Sequence, residues 1–176
     1  WADADGYKRQ DQGGKGIIEG ALDTDAFDTF ALPDGMVGDS LPKAIGDDLN
    51  GSYGTVPGTD SAGAGMLASV VPDSIDTTSP FVGESYDAAA LLLLSMQAAN
   101  STKPGDYKGK VMDVANAPGV QILPGQLAEG LALLAAGYDI DYVGASNVEL
   151  IGSGESSGSF REIEIQGQAV TTVTYR

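Results

Sequence analysis

Thr29-Phe30-Ala31-Leu32-Pro33-Asp34-Gly35, followed by Tyr53-Gly54-Thr55-Val56-Pro57-Gly58, is the stretch that decides the fold. Each half is a short apolar run cut off by Pro and Gly, the pattern of a buried strand running into a turn. Upstream, Ile17, Ile18, Ala21, Leu22 and Ala26 recur at helical spacing between Ile17 and Phe27. Between the two runs, Ser40 is placed to cap a second helix, with Pro42 in its first turn and Gly46 near its end. Helix, strand, helix, strand in so short a span predicts an α/β fold with a parallel sheet.

Downstream, residues 59–79 are rich in Gly, Ser, Thr, Asp and Pro, with one apolar patch from Met66 to Val71. They read as a linker or a crossing between lobes that holds one short helix. Pro80 to Ala99 is the strongest helix of the chain. Its run Ala88 to Leu94 is apolar all round, which predicts burial on most sides. Asn100-Ser101-Thr102 has the form of a glycosylation acceptor and reads here as the end of that helix. Lys110 to Ala115 reads as a short helix, Pro118 to Gly125 as a loop, and Gln126 to Ala136 as a helix stopped by Gly137. Asp141-Tyr142-Val143-Gly144 introduces an irregular strand, and Gly152 to Ser159 is a Gly/Ser turn. Phe160 to Ile165 and Ala169 to Tyr175 form two strands joined at Gln166-Gly167-Gln168.

Composition narrows the function. Among 176 residues there are 25 acidic and 9 basic side chains, a net charge of −16. That balance disfavours a nucleic-acid partner, which needs a basic surface, and suits solubility in a salty or extracellular medium. The chain has neither Cys nor His, so thiol nucleophiles, disulfides, the usual zinc sites and imidazole bases are out of reach. No apolar run approaches the ~18 residues that a membrane helix requires. No cofactor or metal is expected. Asp3-Ala4-Asp5-Gly6 has its glycine too early for a calcium loop. Gly13-Gly14-Lys15-Gly16 could cradle an anion at a helix start, but the spacing before Lys15 is not that of a P-loop and no Ser or Thr follows it. Tight packing of a helix start against a sheet accounts for it. Ser40-Leu41-Pro42-Lys43 spells a Ser-x-x-Lys hydrolase motif only by letter, with Pro42 inside it and no partner motifs. Nothing in the spacing selects a carboxylate pair of the glycosidase kind.

Two residues remain as binding candidates. Asp34 stands at the carboxyl end of a strand, where open α/β sheets bind ligands, and its carboxylate suits an ammonium group. Asp before Gly also shapes turns, so a purely structural role stays open. Tyr86 opens the apolar helix and could wall a pocket while its hydroxyl reaches a polar group, or serve as a core tyrosine. Glu84 and Asp87 beside it are explained as favourable charges at a helix N-terminus.

The order and spacing of several segments resemble one family. They are Gln12-Gly13-Gly14-Lys15-Gly16-Ile17-Ile18, Leu32-Pro33-Asp34-Gly35-Met36, Ser52 to Gly58, Ser85-Tyr86-Asp87-Ala88-Ala89 and Asp141 to Ser146. From about residue 13 to 176 the chain resembles the C-terminal half of the leucine/isoleucine/valine-type substrate-binding proteins of ABC transporters, periplasmic binding proteins of type I. The resemblance implies part of a two-lobed α/β fold with parallel sheets flanked by helices. Residues 1–56 would belong to the second lobe and 57–160 to the first. Residues 161–176 would be a hinge crossing and a return strand. It implies no enzyme but a ligand site holding Asp34 and Tyr86, with Gly35 and Ser85 beside them. Asp34 would receive the ammonium of a small amino acid or related amine or amide, where many members carry Glu, and Tyr86 would face the cleft from the opposite lobe. The implied setting is periplasmic or extracellular. The implied partners are a small-molecule ligand, the N-terminal half of the same protein and a membrane ABC permease. The chain would then be a piece of a longer protein, or one of two paired chains. A ligand-sensing receptor ectodomain has the same fold and is the alternative. A carboxylate-based hydrolase is the third reading.

Overall fold

The computed structural model describes residues 4–152 and 154–176, with side chains from residue 13 onward. Asp3 of the calcium-like tetrapeptide lies outside the described residues. In chain order the elements are α1 (Ala4–Leu22), β1 (Ala31–Leu32), α2 (Ser40–Ile45), β2 (Tyr53–Pro57), α3 (Ala62–Val70), α4 (Val82–Ala99), α5 (Pro104–Tyr107), α6 (Val111–Ala115), β3 (Val120–Ile122), α7 (Leu127–Ala135), β4 (Ile140–Tyr142), β5 (Leu150–Ile151), β6 (Glu155–Ser156), β7 (Phe160–Gln166) and β8 (Ala169–Tyr175). They divide into two units. The first runs to Pro57 and resumes at Phe160–Arg176, and the second is Gly58–Ser159.

The first unit is built on a four-stranded sheet in the order β1-β2-β7-β8. β1 and β2 are parallel, with Ala31 opposite Tyr53 and Leu32 opposite Gly54. A side chain at Gly54 would collide with the Leu32 carbonyl, so glycine sets this close approach. β7 and β8 join antiparallel, which makes the sheet mixed. Alternation in β2 buries Gly54 and Val56 and exposes Tyr53 and Thr55. Val56 meets Ile163 and Ile165 of β7 in a core completed by Ile18, Leu32, Leu41 and Leu49. Each fully buried aliphatic side chain contributes roughly 1.5–3 kcal/mol. Ser52, itself buried, accepts the Phe30 N–H at 3.1 Å and so ties the lead-in of β1 to that of β2.

Two expectations are corrected in this unit. Gly13-Gly14-Lys15-Gly16 does not begin a helix but lies within α1. Its packing partner is Met36, whose Sδ would sit 2.8 Å from a Cβ at Gly14. Ser40 is the first residue of α2 and makes no cap. Asp39 precedes it, also without a cap bond, and instead pairs with Lys43 at 2.9 Å.

The second unit centres on a parallel pair, β3 and β4, with Val120, Gln121 and Ile122 opposite Ile140, Asp141 and Tyr142. Its core is Ala90 and Leu94 of α4, Val114 and Ala115 of α6, and Ile122, Ile140, Tyr142 and Val148. At Gly130 of α7, a Cβ would lie 3.1 Å from Leu94 and 3.3 Å from Ile122, so the missing side chain lets α7 settle close. Gly137, at φ 82°, ends that helix as a left-handed stop. Pro118 to Gly125 is not wholly loop, since it contains β3. That strand is three residues long between proline and glycine, and its pairing with β4 is what defines it. The Gly/Ser turn after Gly152 holds β6, which pairs antiparallel with β5 just before the turn. α4 is not buried on most sides: Leu92 and Leu93 are 45% and 48% exposed, while Ala90 and Leu94 are buried. No described helix is long and apolar enough to cross a membrane.

Candidate functional site

In the first unit, β1 ends at Leu32, and Pro33 holds an extended conformation that leads straight into a single 3-10 turn, Asp34–Met36. The turn lifts the Asp34 carboxylate off the strand end into solvent. One carboxylate oxygen accepts the Gly35 N–H at 2.7 Å, and the other has no partner among the described residues. Beside it lies a pocket of about 330 Å³. Pro33, Asp34, Gly35 and Met36 form one side, and Gly13, Gly14 and Ile17 of α1 form the other. Among the described lining residues, Asp34 carries the only formal charge. Lys15 is drawn away to Glu19 at 3.4 Å. Ile17 stays 74% exposed at the rim, an apolar surface next to a carboxylate that has no ion-pair partner among the described residues. The arrangement can hold a cation by charge-assisted hydrogen bonding and cover a short apolar group. Among the described lining residues there is no second titratable side chain to act as acid or base.

The pocket therefore joins two segments quoted from the sequence, the glycine-rich run and the strand-end turn. The value of the first lies in the space its glycines leave rather than in a phosphate cradle. Gly35 lines the pocket with Asp34. Tyr86 and Ser85 lie in the second unit, on the first turns of α4. Tyr86 is half-buried, and its hydroxyl accepts the Gly125 N–H at 3.3 Å, a long bond. Ser85 is exposed and its backbone N–H bonds the Phe81 carbonyl at 2.9 Å.

Asp87 is the residue whose environment departs furthest from expectation. It is not a solvated charge at a helix start. It is 2% exposed, and its carboxylate is fully used. Oδ1 accepts from the Tyr142 hydroxyl and from the Ala145 N–H, both at 2.8 Å. Oδ2 accepts the Ser146 N–H at 2.7 Å and the Ser146 hydroxyl at 2.6 Å. Four donors repay the cost of burying the charge. They fasten the first turns of α4 to the end of β4 and the loop behind it. Burial, and then the adjacent Asp87 carboxylate, push the Tyr142 phenol far above its ordinary range, so it stays a donor. Gly144 makes the approach possible. Its φ is 60°, and a Cβ there would overlap Asp87 and Tyr142. A helix acid paired with a Gly-Ala-Ser loop more than fifty residues away gives no local signal in the sequence.

Helices packed on parallel strand pairs, with an excursion of the chain between β2 and β7, make up the architecture of the type 1 periplasmic binding proteins. The chain has part of that fold, as the leucine-type resemblance implied. The leucine-binding protein LivK of Thermotoga maritima superposes with a TM-score of 0.65 at 15% identity, covering 92% of this chain and 41% of LivK. A type 1 periplasmic binding protein from Bordetella pertussis Tohama I superposes with a TM-score of 0.53 at 17% identity, covering 91% and 43%. In sequence, the chain is 28% identical over 137 residues to the chemotactic signal transduction system substrate-binding protein BasB of Halobacterium salinarum, which is 77% of this chain and 32% of BasB. The chain thus spans about a third to two fifths of the length of these relatives. No protein-family model matches it.

Proposed function

We propose that the chain is part of the ligand-binding machinery of an extracytoplasmic solute-binding protein, and that its ligand is a small amino acid or related amine. The observation that carries this reading is the pocket beside Asp34: one exposed carboxylate against an apolar wall of Ile17, Pro33 and Met36. In this reading the first unit is part of the second lobe, the Gly58–Ser159 unit is part of the first, and the strands after Phe160 are the crossing. Asp34 takes the ligand ammonium, and Tyr86 walls the site from its own lobe. Ser85 supports it, and the N-terminal half of the protein supplies the groups for the rest of the ligand. Ligand binding shifts the population toward a closed form, and closure is the signal read by a membrane partner.

That partner is an ABC permease in the first reading. The similarity to BasB favours a second, in which the same closure is read by a chemotaxis receptor. Calorimetry on the full-length protein tests the site. Asp34→Asn should weaken binding of an amine-bearing solute by about 10- to 100-fold, the ~1.5–3 kcal/mol of a hydrogen bond to a charged group. Unchanged affinity for every such solute refutes the assignment of Asp34. Solute uptake and tactic response, measured in a strain lacking the protein, separate the two destinations.

A further inference from the structure

We propose that Asn100 is a glycan-attachment site. The proposal rests on the extracytoplasmic reading above, because the sugar donor is met only by an exported chain. Two stretches have the acceptor form Asn-x-Ser/Thr: Asn50-Gly51-Ser52 and Asn100-Ser101-Thr102. The fold treats them in opposite ways. Asn50 Oδ1 accepts the Gly167 N–H at 2.9 Å, which holds the β7–β8 turn. Ser52 is wholly buried, and its hydroxyl accepts the Phe30 N–H. The hydroxyl that this acceptor needs is thus unavailable once the chain has folded, and the Asn50 side chain is held to the β7–β8 turn.

Asn100 is the left-handed cap that ends α4, at φ 47°, and three residues without regular structure separate it from Pro104 of α5. Asn100 and Thr102 are both exposed, and neither side chain has a hydrogen-bond partner among the described residues. The intervening Ser101 is fixed instead: its hydroxyl donates to Asp106 at 2.7 Å and accepts the Lys103 N–H at 3.2 Å. The turn therefore presents the carboxamide and the hydroxyl two residues on, and holds the residue between them. Beside Asn100 runs an open groove of about 620 Å³, floored by Leu93, Met96 and Leu131 and edged by Gln97 and Lys103. A sugar on Asn100 has room to lie there and would cover the exposed Leu93.

In the attachment step Asn100 Nδ2 forms a bond to the anomeric carbon of an oligosaccharide carried on an isoprenoid phosphate or diphosphate. The bond from that carbon to the phosphate oxygen breaks, the carrier leaves with the electron pair, and Nδ2 gives up one proton. Peptide mass mapping of the protein purified from the cells that make it, with cell fractionation alongside, is the test. The peptide holding Asn100 should carry saccharide mass, and the peptide holding Asn50 should be bare. Asn100→Gln and Thr102→Ala should each abolish the added mass, and Thr102→Ser should retain it. An exported protein bare at Asn100, or modified at Asn50 instead, overturns the proposal while leaving the binding function standing. A protein that stays inside the cell and is bare overturns both.

Discussion

Replacing Asp87 by Asn keeps the shape of the side chain and removes its charge and one acceptor oxygen. Either orientation of the amide leaves a backbone donor facing N–H groups: Ala145 if the nitrogen takes the Oδ1 place, Ser146 if it takes the Oδ2 place. The Tyr142 or Ser146 hydroxyl can rotate to become an acceptor, but the backbone N–H cannot. One orphaned buried donor costs about 1–3 kcal/mol, and the three remaining bonds each lose roughly half of their charge-assisted strength. The sum is a loss of about 3–5 kcal/mol, a large share of the ~5–15 kcal/mol that holds a typical domain. Urea unfolding followed by far-ultraviolet circular dichroism measures it. The midpoint should fall with little change in slope. Asp113→Asn is the control, since it breaks only the exposed Lys110 pair and should cost less than about 1 kcal/mol. A loss below about 1 kcal/mol for Asp87→Asn would show that the buried network does not hold α4 to the β4 loop.

Three further outcomes follow from the same geometry and charge. Tyr142 keeps its proton in the folded chain while an unfolded tyrosine ionises near pH ~10, so its contribution is complete below that pH and is lost as pH rises above it. Stability of the wild type should therefore fall more steeply above about pH 10 than that of Tyr142→Phe, and equal slopes would remove the linkage. Gly144→Ala should destabilise by about 2–4 kcal/mol in thermal or urea unfolding, because the added methyl overlaps Asp87 at a left-handed φ; a neutral outcome contradicts the close approach. With a net charge of −16, unfolding stability should rise by an amount on the order of 2 kcal/mol between about 0.05 and 1 M NaCl as repulsion is screened, and a flat or falling profile refutes this.

The parts of the fold that the sequence made legible are those whose signals are local. The β7–β8 hairpin declares itself by β-branched runs on either side of Gln166-Gly167-Gln168, and α7 by its apolar stripe and terminal Gly137. β3 does not, because three residues between Pro118 and Pro124 carry no periodicity and become a strand only through pairing with β4. The exposed side of α4 was hidden for a related reason: an all-apolar run shows that a helix can be buried, not which neighbours are there to bury it. In the candidate site, Asp34 was visible as a carboxylate at a strand end. Its pocket was not, since the opposite wall comes from glycines in mid-helix whose use is to leave room. Asp87 misled because an acid near a helix start has a sufficient local explanation, while its donors lie on the far side of β4.

The strand pairing of the first unit has one more consequence. Pro57, where the chain leaves that unit, is the register partner of Phe160, where it returns, and just beyond them the Gly58 N–H bonds the Ser159 carbonyl at 3.1 Å. Everything from Gly58 to Ser159 is thus an insertion whose two ends meet at a single point. Cutting there and joining Pro57 to Phe160 with a tight turn would leave β2 and β7 as an ordinary hairpin, at little extra loop-closure cost. The excised segment could be closed end to end in the same way. Within this chain, the Gly58–Ser159 segment can thus be cut out, exchanged or circularly permuted without re-threading the strands that flank it.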